Sequence, residues 1–232
     1  MFARSALEMD WLAEAARIEE SMRRIVGSQL KRRGLVVGVS GGIDSSLVAA
    51  LAARAFGPER VLALFMPETD SASESLELGM KLTEQFGIPS RTVDLSPALA
   101  AMGCYRERDA AVRSVFPDFG PGWKSKIVLP EIGDSARLNV FSLVVQSPKG
   151  VQQRARLPLE AYLTIVAATN MKQRSRKMLE YYHADRLNYA VAGTPNRLEY
   201  DQGFFVKNGD GAADLKPIAH LYKTQVYALA AH

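Results

Sequence analysis

Leu35-Val36-Val37-Gly38-Val39-Ser40-Gly41-Gly42-Ile43-Asp44-Ser45-Ser46 decides how this chain is read. Its aliphatic, β-branched start, preceded by Lys31-Arg32-Arg33 and Gly34, has the pattern of a strand buried on both faces of a parallel sheet. Ser40-Gly41-Gly42 then turns the chain into an apolar helix expected from Ile43 to Phe56. Glycines at such a turn permit backbone angles and close approaches that a Cβ forbids. Successive N–H groups can then face one concavity at the positive end of the helix. That concavity suits an anion. Ser40, Ser45 and Ser46 add hydroxyl donors, while Asp44 places a carboxylate where a bound phosphate would repel it unless Mg²⁺ lies between them. A Gly/Ser turn often does no more than cap a helix, but Asp44 between serines shifts the reading to a nucleotide.

The phosphate loop that ends in Gly-Lys-Ser/Thr is excluded, because this loop carries no lysine. Ser40-Gly41-Gly42-Ile43-Asp44-Ser45 instead resembles the pyrophosphate loop of the ATP pyrophosphatases. That resemblance implies cleavage of ATP between its α and β phosphates, adenylation of a substrate oxygen and release of pyrophosphate.

The 232 residues fit one domain, or one with a sizeable insertion, and nearly half are apolar. No apolar run approaches the ~18 residues of a membrane span, and residues 1–10 lack the apolar core of a secretory signal. A cytoplasmic protein is expected. The single Cys104 excludes an internal disulfide and a Cys-rich zinc site. A net charge of +4 suits acidic ligands in general. Outside residues 172–177 the basic residues are scattered among acidic ones, with no aromatic-interleaved stripe, so a nucleic-acid partner is not favoured.

Ahead of the loop, Trp11, Leu12, Ala15, Ile18, Met22, Ile25 and Val26 recur at helical spacing and predict an amphipathic helix that packs on the sheet or on a partner subunit. Residues 61–66 predict a second buried strand, closed by Pro67. A polar loop and a helix through about Phe86 follow, with Gly87 as its C-cap and a third strand over residues 90–94. The alternation implies an α/β fold, a doubly wound parallel sheet with ligands beyond the carboxyl ends of its strands. Residues 102–157 break the rhythm and read as an insertion. Within it, residues 136–146 and 151–157 flank Ser147-Pro148-Lys149-Gly150 as a β-hairpin. Helix returns over residues 159–185, in one piece or two, and residues 187–192 predict another buried strand.

That strand opens a long loop, from Gly193-Thr194-Pro195-Asn196-Arg197-Leu198-Glu199 through Gly203-Phe204-Phe205-Val206-Lys207 and Gly209-Asp210-Gly211 to Asp214. A loop of that length in a compact domain is functional or disordered, and its aromatic pair argues for function. The order of Gly-Thr, Glu, Gly-Phe-Phe-x-Lys, Gly-Asp-Gly and Asp resembles the NAD synthetases, and Asn170 with Arg174-Ser175-Arg176-Lys177-Met178 resembles that family's Asn, Arg-x-Arg-Met element. The matching segments cover roughly two-thirds of the chain.

The resemblance to the ammonia-dependent members implies an adenine nucleotide alpha hydrolase-like fold, here with an inserted β-hairpin. It implies an NAD synthase that amidates nicotinate adenine dinucleotide with ammonia through an acyl-adenylate, with ATP as co-substrate and Mg²⁺ as cofactor. Carried over residue by residue, Gly38, Val39, Ser40, Gly41, Gly42, Ile43, Asp44 and Ser45 hold ATP with Thr194 and Lys223. Asp44 and Lys223 are then the catalytic pair, and the loop after Met66 helps hold adenosine. Asp44 and Glu199 share the metal, and Arg174, Lys207 and Asp214 contact the dinucleotide. Taken singly, Arg174 reads as a cation on a solvated helix face, Glu199 as a capping carboxylate, and Lys207 with Asp214 as a surface pair worth ~0 to 1 kcal/mol.

Family members are homodimers, so a homodimer is expected. Lone Cys104 does not supply a glutaminase nucleophile, so nitrogen comes as free ammonia or from a separate glutaminase. The family continues beyond the point where this sequence stops, so it reads as one domain over 1–232 truncated at its C-terminus. The enlarged middle, Pro195-Asn196-Arg197 and Val206 also depart from the family pattern. They keep open a paralogue that amidates another carboxylate, or a tRNA-modifying ATP pyrophosphatase.

Overall fold

The structure is a computed structural model that describes residues 7–129 and 141–232. In chain order its strands are β1 (Leu35–Gly38), β2 (Val61–Phe65), β3 (Ser90–Thr92), β4 (Lys124–Val128), β5 (Ser142–Gln146), β6 (Gln152–Arg156) and β7 (Ala190–Ala192). The α-helices are α1 (Trp11–Arg23), α2 (Ile43–Phe56), α3 (Ser73–Gln85), α4 (Ser96–Ala101), α5 (Cys104–Arg113), α6 (Leu159–Leu187), α7 (Arg197–Asp201) and α8 (Lys223–Ala231). They form two compact units, Met1–Ser96 with Gln173–His232, and Pro97–Lys172.

The first unit is built on a parallel sheet in the order β3-β2-β1-β7. Central β1 pairs with β2 from Leu35↔Val61 and with β7 from Leu35↔Ala190, and Leu35, Val36 and Val37 are fully buried. Two buried faces are why β1 reads as an unbroken apolar run. α2 spans the expected residues and stops at Gly57, whose positive φ of 82° ends the helix. Its Leu47, Val48, Leu51, Ala52 and Phe56 join the core under the sheet. α1 starts at Asp10, whose Oδ1 accepts from the amides of Leu12 and Ala13 at 3.1 and 3.0 Å. It buries Ala15, Ile18 and Met22 in the same core and ion-pairs Glu19 with Arg54 of α2 at 2.6 Å, and a π-helical turn over Arg24–Gln29 extends it. Of the apolar stripe, Leu12 stays exposed, while Trp11, Ala15, Ile18, Met22, Ile25 and Val26 pack within the chain. Gly87 closes α3 at φ 65°, as its position predicts.

α6 is one continuous helix, because no Gly or Pro interrupts it before Asn188, which takes a positive φ of 56° just past its end. β2, β3 and β7 are each shorter than the apolar runs that announce them, since pairing ends where the neighbouring strand does.

The second unit carries an antiparallel sheet, β4-β5-β6. β5 and β6 form the expected hairpin around Ser147–Gly150, whose turn Gly150 closes at φ 83°; residues 136–140 of the expected first arm lie outside the described residues. β4, α4 and α5 were not anticipated. One face of the sheet places Leu143 and Val145 in a core with Val112, Phe116, Phe119, Ala161 and Ile165. By alternation the other face carries Lys124, Lys126, Arg154 and Arg156, all exposed.

Gly34 enters β1 so tightly that a Cβ would lie 2.1 Å from the Arg60 carbonyl oxygen and 2.8 Å from the Tyr189 ring. Gly34→Ala is expected to cost about 1 to 3 kcal/mol, read as a lower urea midpoint at unchanged m-value.

Candidate functional site

The loop after β1 lies at the carboxyl edge of the sheet. Gly41 has φ 78°, and a Cβ there would sit 2.0 Å from the Ser75 carbonyl oxygen, so no other residue fits. Gly42, the N-cap of α2, has an ordinary φ of −80°, and only the first glycine of the pair is dictated by its backbone angle. Ser45 is buried and shapes the loop from inside: its Oγ accepts from the Ser40 amide at 3.1 Å and donates to the Gly42 carbonyl at 3.0 Å. No side chain caps α2, and the amides of Ile43, Asp44 and Ser45 have no hydrogen-bond acceptor among the described residues. Three unpaired N–H groups at a helix N-terminus constitute an anion site.

Asp44, in the first turn of α2, accepts from the Lys223 ammonium through Oδ2 and from Asn196 Nδ2 at 3.3 Å through Oδ1. Lys223 is the first residue of α8, and Asn196 is the N-cap of α7. Asn196 Oδ1 accepts from the amides of Leu198 and Glu199 at 3.0 and 3.3 Å, while Glu199 Oε2 accepts from the Asn196 amide at 3.1 Å. This capping box gives Glu199 the plain structural role that its spacing allowed. Asn196 thus donates to both carboxylates, to Glu199 through its amide and to Asp44 through Nδ2. The structure therefore brings together Asp44, Glu199 and Lys223, which lie 155 and 179 positions apart from the first.

Beside them opens a cavity of about 390 Å³, lined by Gly38, Val39 and Ser40, by Phe65 to Pro67 after β2, by Ser75 and Leu76 of α3, and by Thr194 after β7. Gln173, Arg176, Lys177 and Glu180 of α6 and Asp210 complete it. Lys177 Nζ donates to Glu180 Oε2 at 2.5 Å, and both side chains are buried. Burial pushes the Glu180 carboxyl above its ordinary value, and Lys177 opposes that rise.

The three residues expected to meet the dinucleotide do not form one cluster. Arg174 donates through Nε to the Lys207 carbonyl at 3.1 Å on the exposed side of α6. Asp214 instead ties the long loop to β7: its Oδ2 accepts from the Val191 amide at 2.7 Å and its Oδ1 from the Tyr181 hydroxyl at 3.4 Å. Burial first, then Asp214, pushes the Tyr181 hydroxyl up to about 12. Among the described residues no group of three His, Cys, Asp or Glu side chains is placed to hold a metal. Two carboxylates with phosphate oxygens and water are nonetheless a sufficient set for Mg²⁺.

A family profile described as NAD synthase matches residues 14–114 and 142–232. The chain belongs to the NAD synthase family. It is similar to the NH3-dependent NAD+ synthetase of Rhizobium meliloti, at 60% identity over 100% of this chain and 69% of that protein. The enzyme of the same name from Mesorhizobium japonicum is 59% identical over 97% of this chain and 70% of its own length. Among solved structures, the NH3-dependent NAD synthetase of Campylobacter jejuni, in complex with nitrate, aligns with a TM-score of 0.67 at 25% identity, over 97% of this chain and 73% of that one. A member of the NAD synthase family is an ATP-using ligase of NAD biosynthesis. Its parallel α/β sheet is that of the ATP pyrophosphatase-type neighbours. Among the described residues no helix is long and apolar enough to cross a membrane.

Lys177, Glu180, Asn196 and Asp210 carry no site role in the sequence reading, although Lys177 and Asp210 lie within its motifs. Asn196 had a legible signal, since Asn-x-x-Glu is a capping box. The i,i+3 spacing of Lys177 and Glu180 was visible too, but charged pairs at that spacing are ordinarily solvated.

Asn196→Ala removes a helix cap and a donor to Asp44 at once. It is expected to lower stability by about 1 to 2 kcal/mol and to speed amide hydrogen exchange selectively at Leu198 and Glu199.

Proposed function

We propose that this chain amidates nicotinate adenine dinucleotide with ammonia at the expense of ATP, forming NAD, AMP and pyrophosphate through an acyl-adenylate. The observation that supports the reading is the chain of contacts at Asp44, in the first turn of α2: it accepts from Lys223 and from Asn196, whose own amide donates to Glu199, while the amides of Ile43, Asp44 and Ser45 face no acceptor among the described residues. The amides of Ile43, Asp44 and Ser45 bind phosphate oxygens, with Gly38 to Gly42 and Thr194 lining the approach. Asp44 and Glu199 would hold Mg²⁺, which would offset phosphate charge and polarise the α phosphorus.

Lys223 sits where it can leave the Asp44 carboxylate for a phosphate oxygen and stabilise charge as pyrophosphate departs. The substrate carboxylate then attacks the α phosphorus, the phosphorus–oxygen bond to pyrophosphate breaks, and ammonia displaces AMP from the acyl carbon. No protein nucleophile is needed; the work is positioning two anions that repel each other. Arg174 and Lys207, which meet on one side of α6, contact the dinucleotide, and Asp214 fixes the loop that carries Lys207.

Cys104 is buried and donates to the Ala168 carbonyl at 3.3 Å, an arrangement that suits an inert thiol, and the relatives' names support ammonia as the nitrogen source, free or from a separate glutaminase. A cytoplasmic homodimer, built of one domain with residues 102–157 inserted, completes the proposal. The relatives' names favour this acceptor over another carboxylate or a tRNA.

Incubating the protein with ATP, Mg²⁺, ammonia and nicotinate adenine dinucleotide should yield NAD with AMP and pyrophosphate in equal amounts. Asp44→Asn and Glu199→Gln are each expected to lower kcat/KM by about 100-fold or more at a near-parental melting temperature. AMP formation with another acid but not with this dinucleotide would overturn the acceptor, and near-normal turnover in either variant would overturn the metal assignment.

A further inference from the structure

The Lys177–Glu180 pair lies in the cavity but takes no part in the chemistry above. Glu180 Oε2 is fixed by Lys177, while its Oε1 accepts no hydrogen bond from the described residues. Among the described residues no buried side-chain oxygen is left without a partner, so Oε1 is the atom that opens into the cavity. The backbone makes room for it: Oε1 lies 2.7 Å from where a Cβ on Gly38 would be. The other charged groups facing the cavity are engaged. Arg176 donates to the Met66 carbonyl at 3.3 Å, and Asp210 accepts from the Val206 amide at 2.7 Å.

A buried ion pair adds little net stability compared with an apolar pair of the same size. What this one supplies is a rigid acceptor in apolar surroundings that include Val39, Phe65, Met66 and Leu76. The cavity's charges balance, Arg176 and Lys177 against Glu180 and Asp210, so it offers phosphate no net attraction, whereas the open amides of α2 do; that leaves the cavity to the uncharged half of a nucleotide. We propose that Glu180, held in place by Lys177, is the specificity-determining acceptor for the nucleoside half of ATP, taking a hydrogen bond from the adenine exocyclic amine or from a ribose hydroxyl. This rests on the ATP site proposed above, and adds the residues that select what enters it.

The test reads ATP binding by calorimetry, with no dinucleotide or ammonia present, for the full chain and for Lys177→Met/Glu180→Met. The ligands are ATP, purine riboside triphosphate, 2′-deoxy-ATP and 3′-deoxy-ATP. The parent is expected to bind one of the three analogues about 10- to 100-fold more weakly than ATP, and which one it is identifies the donor. The double variant should lose ATP affinity by a similar factor and bind ATP and that analogue alike. Equal binding of all four ligands by the parent overturns the proposal, as does a folded double variant that keeps the parental affinity and selectivity. If the apolar pair does not fold, Glu180→Gln is read by the same ratios, and unchanged selectivity there is equally fatal. Selective ATP binding without NAD formation would refute the ligase reading and leave this inference standing. NAD formation with no role for Glu180 in selectivity would do the reverse.

Discussion

A single carboxamide holds the site together. Asn196 caps α7 with its oxygen and reaches Asp44 of α2 with its nitrogen, while Glu199 returns a hydrogen bond to its amide. The loop after β1 and the loop after β7 start from neighbouring strands, so the parallel register alone brings their backbones near each other. It does not aim their side chains. The short helix α7 does so, because a capping box fixes both the position of Glu199 and the direction of the Asn196 side chain.

Two unlike surroundings adjoin the carboxyl edge of the sheet. The first amides of α2 face no acceptor among the described residues, while the cavity holds a buried carboxylate already matched by its own lysine. Asymmetry of this kind sets orientation before any contact with the reacting atoms forms, which is the positioning that phosphoryl and adenylyl transfer chiefly require.

The fold was legible where local pattern and tertiary role coincide. β1 is apolar because both its faces are covered, and α2 starts and stops at glycines that the structure uses as cap and terminator. The motif residues were legible as an ordered set: Lys223 meets Asp44, and Asp44 and Glu199 share Asn196 as a hydrogen-bond partner. Other features depend on three-dimensional context that no local window contains. Lys177 and Glu180 look like a solvated helical pair until β1 and the cavity wall bury them. Arg176 and Arg174 are two residues apart in the same run, yet one lines the cavity and the other turns to the Lys207 carbonyl. β4 was missed because alternating Lys-Ser-Lys-Ile-Val carries too little apolar signal to mark a strand that is half solvated.

Among the described residues, β4 and β6 each pair on one side only in the three-stranded sheet of the second unit. Lys124 and Lys126 on one margin and Arg154 and Arg156 on the other project from the same solvated face. A stray extended segment approaching either margin with a copy of this sheet would have to stack like charges at strand spacing. Like charges along both edge strands thereby disfavour the endless addition of strands.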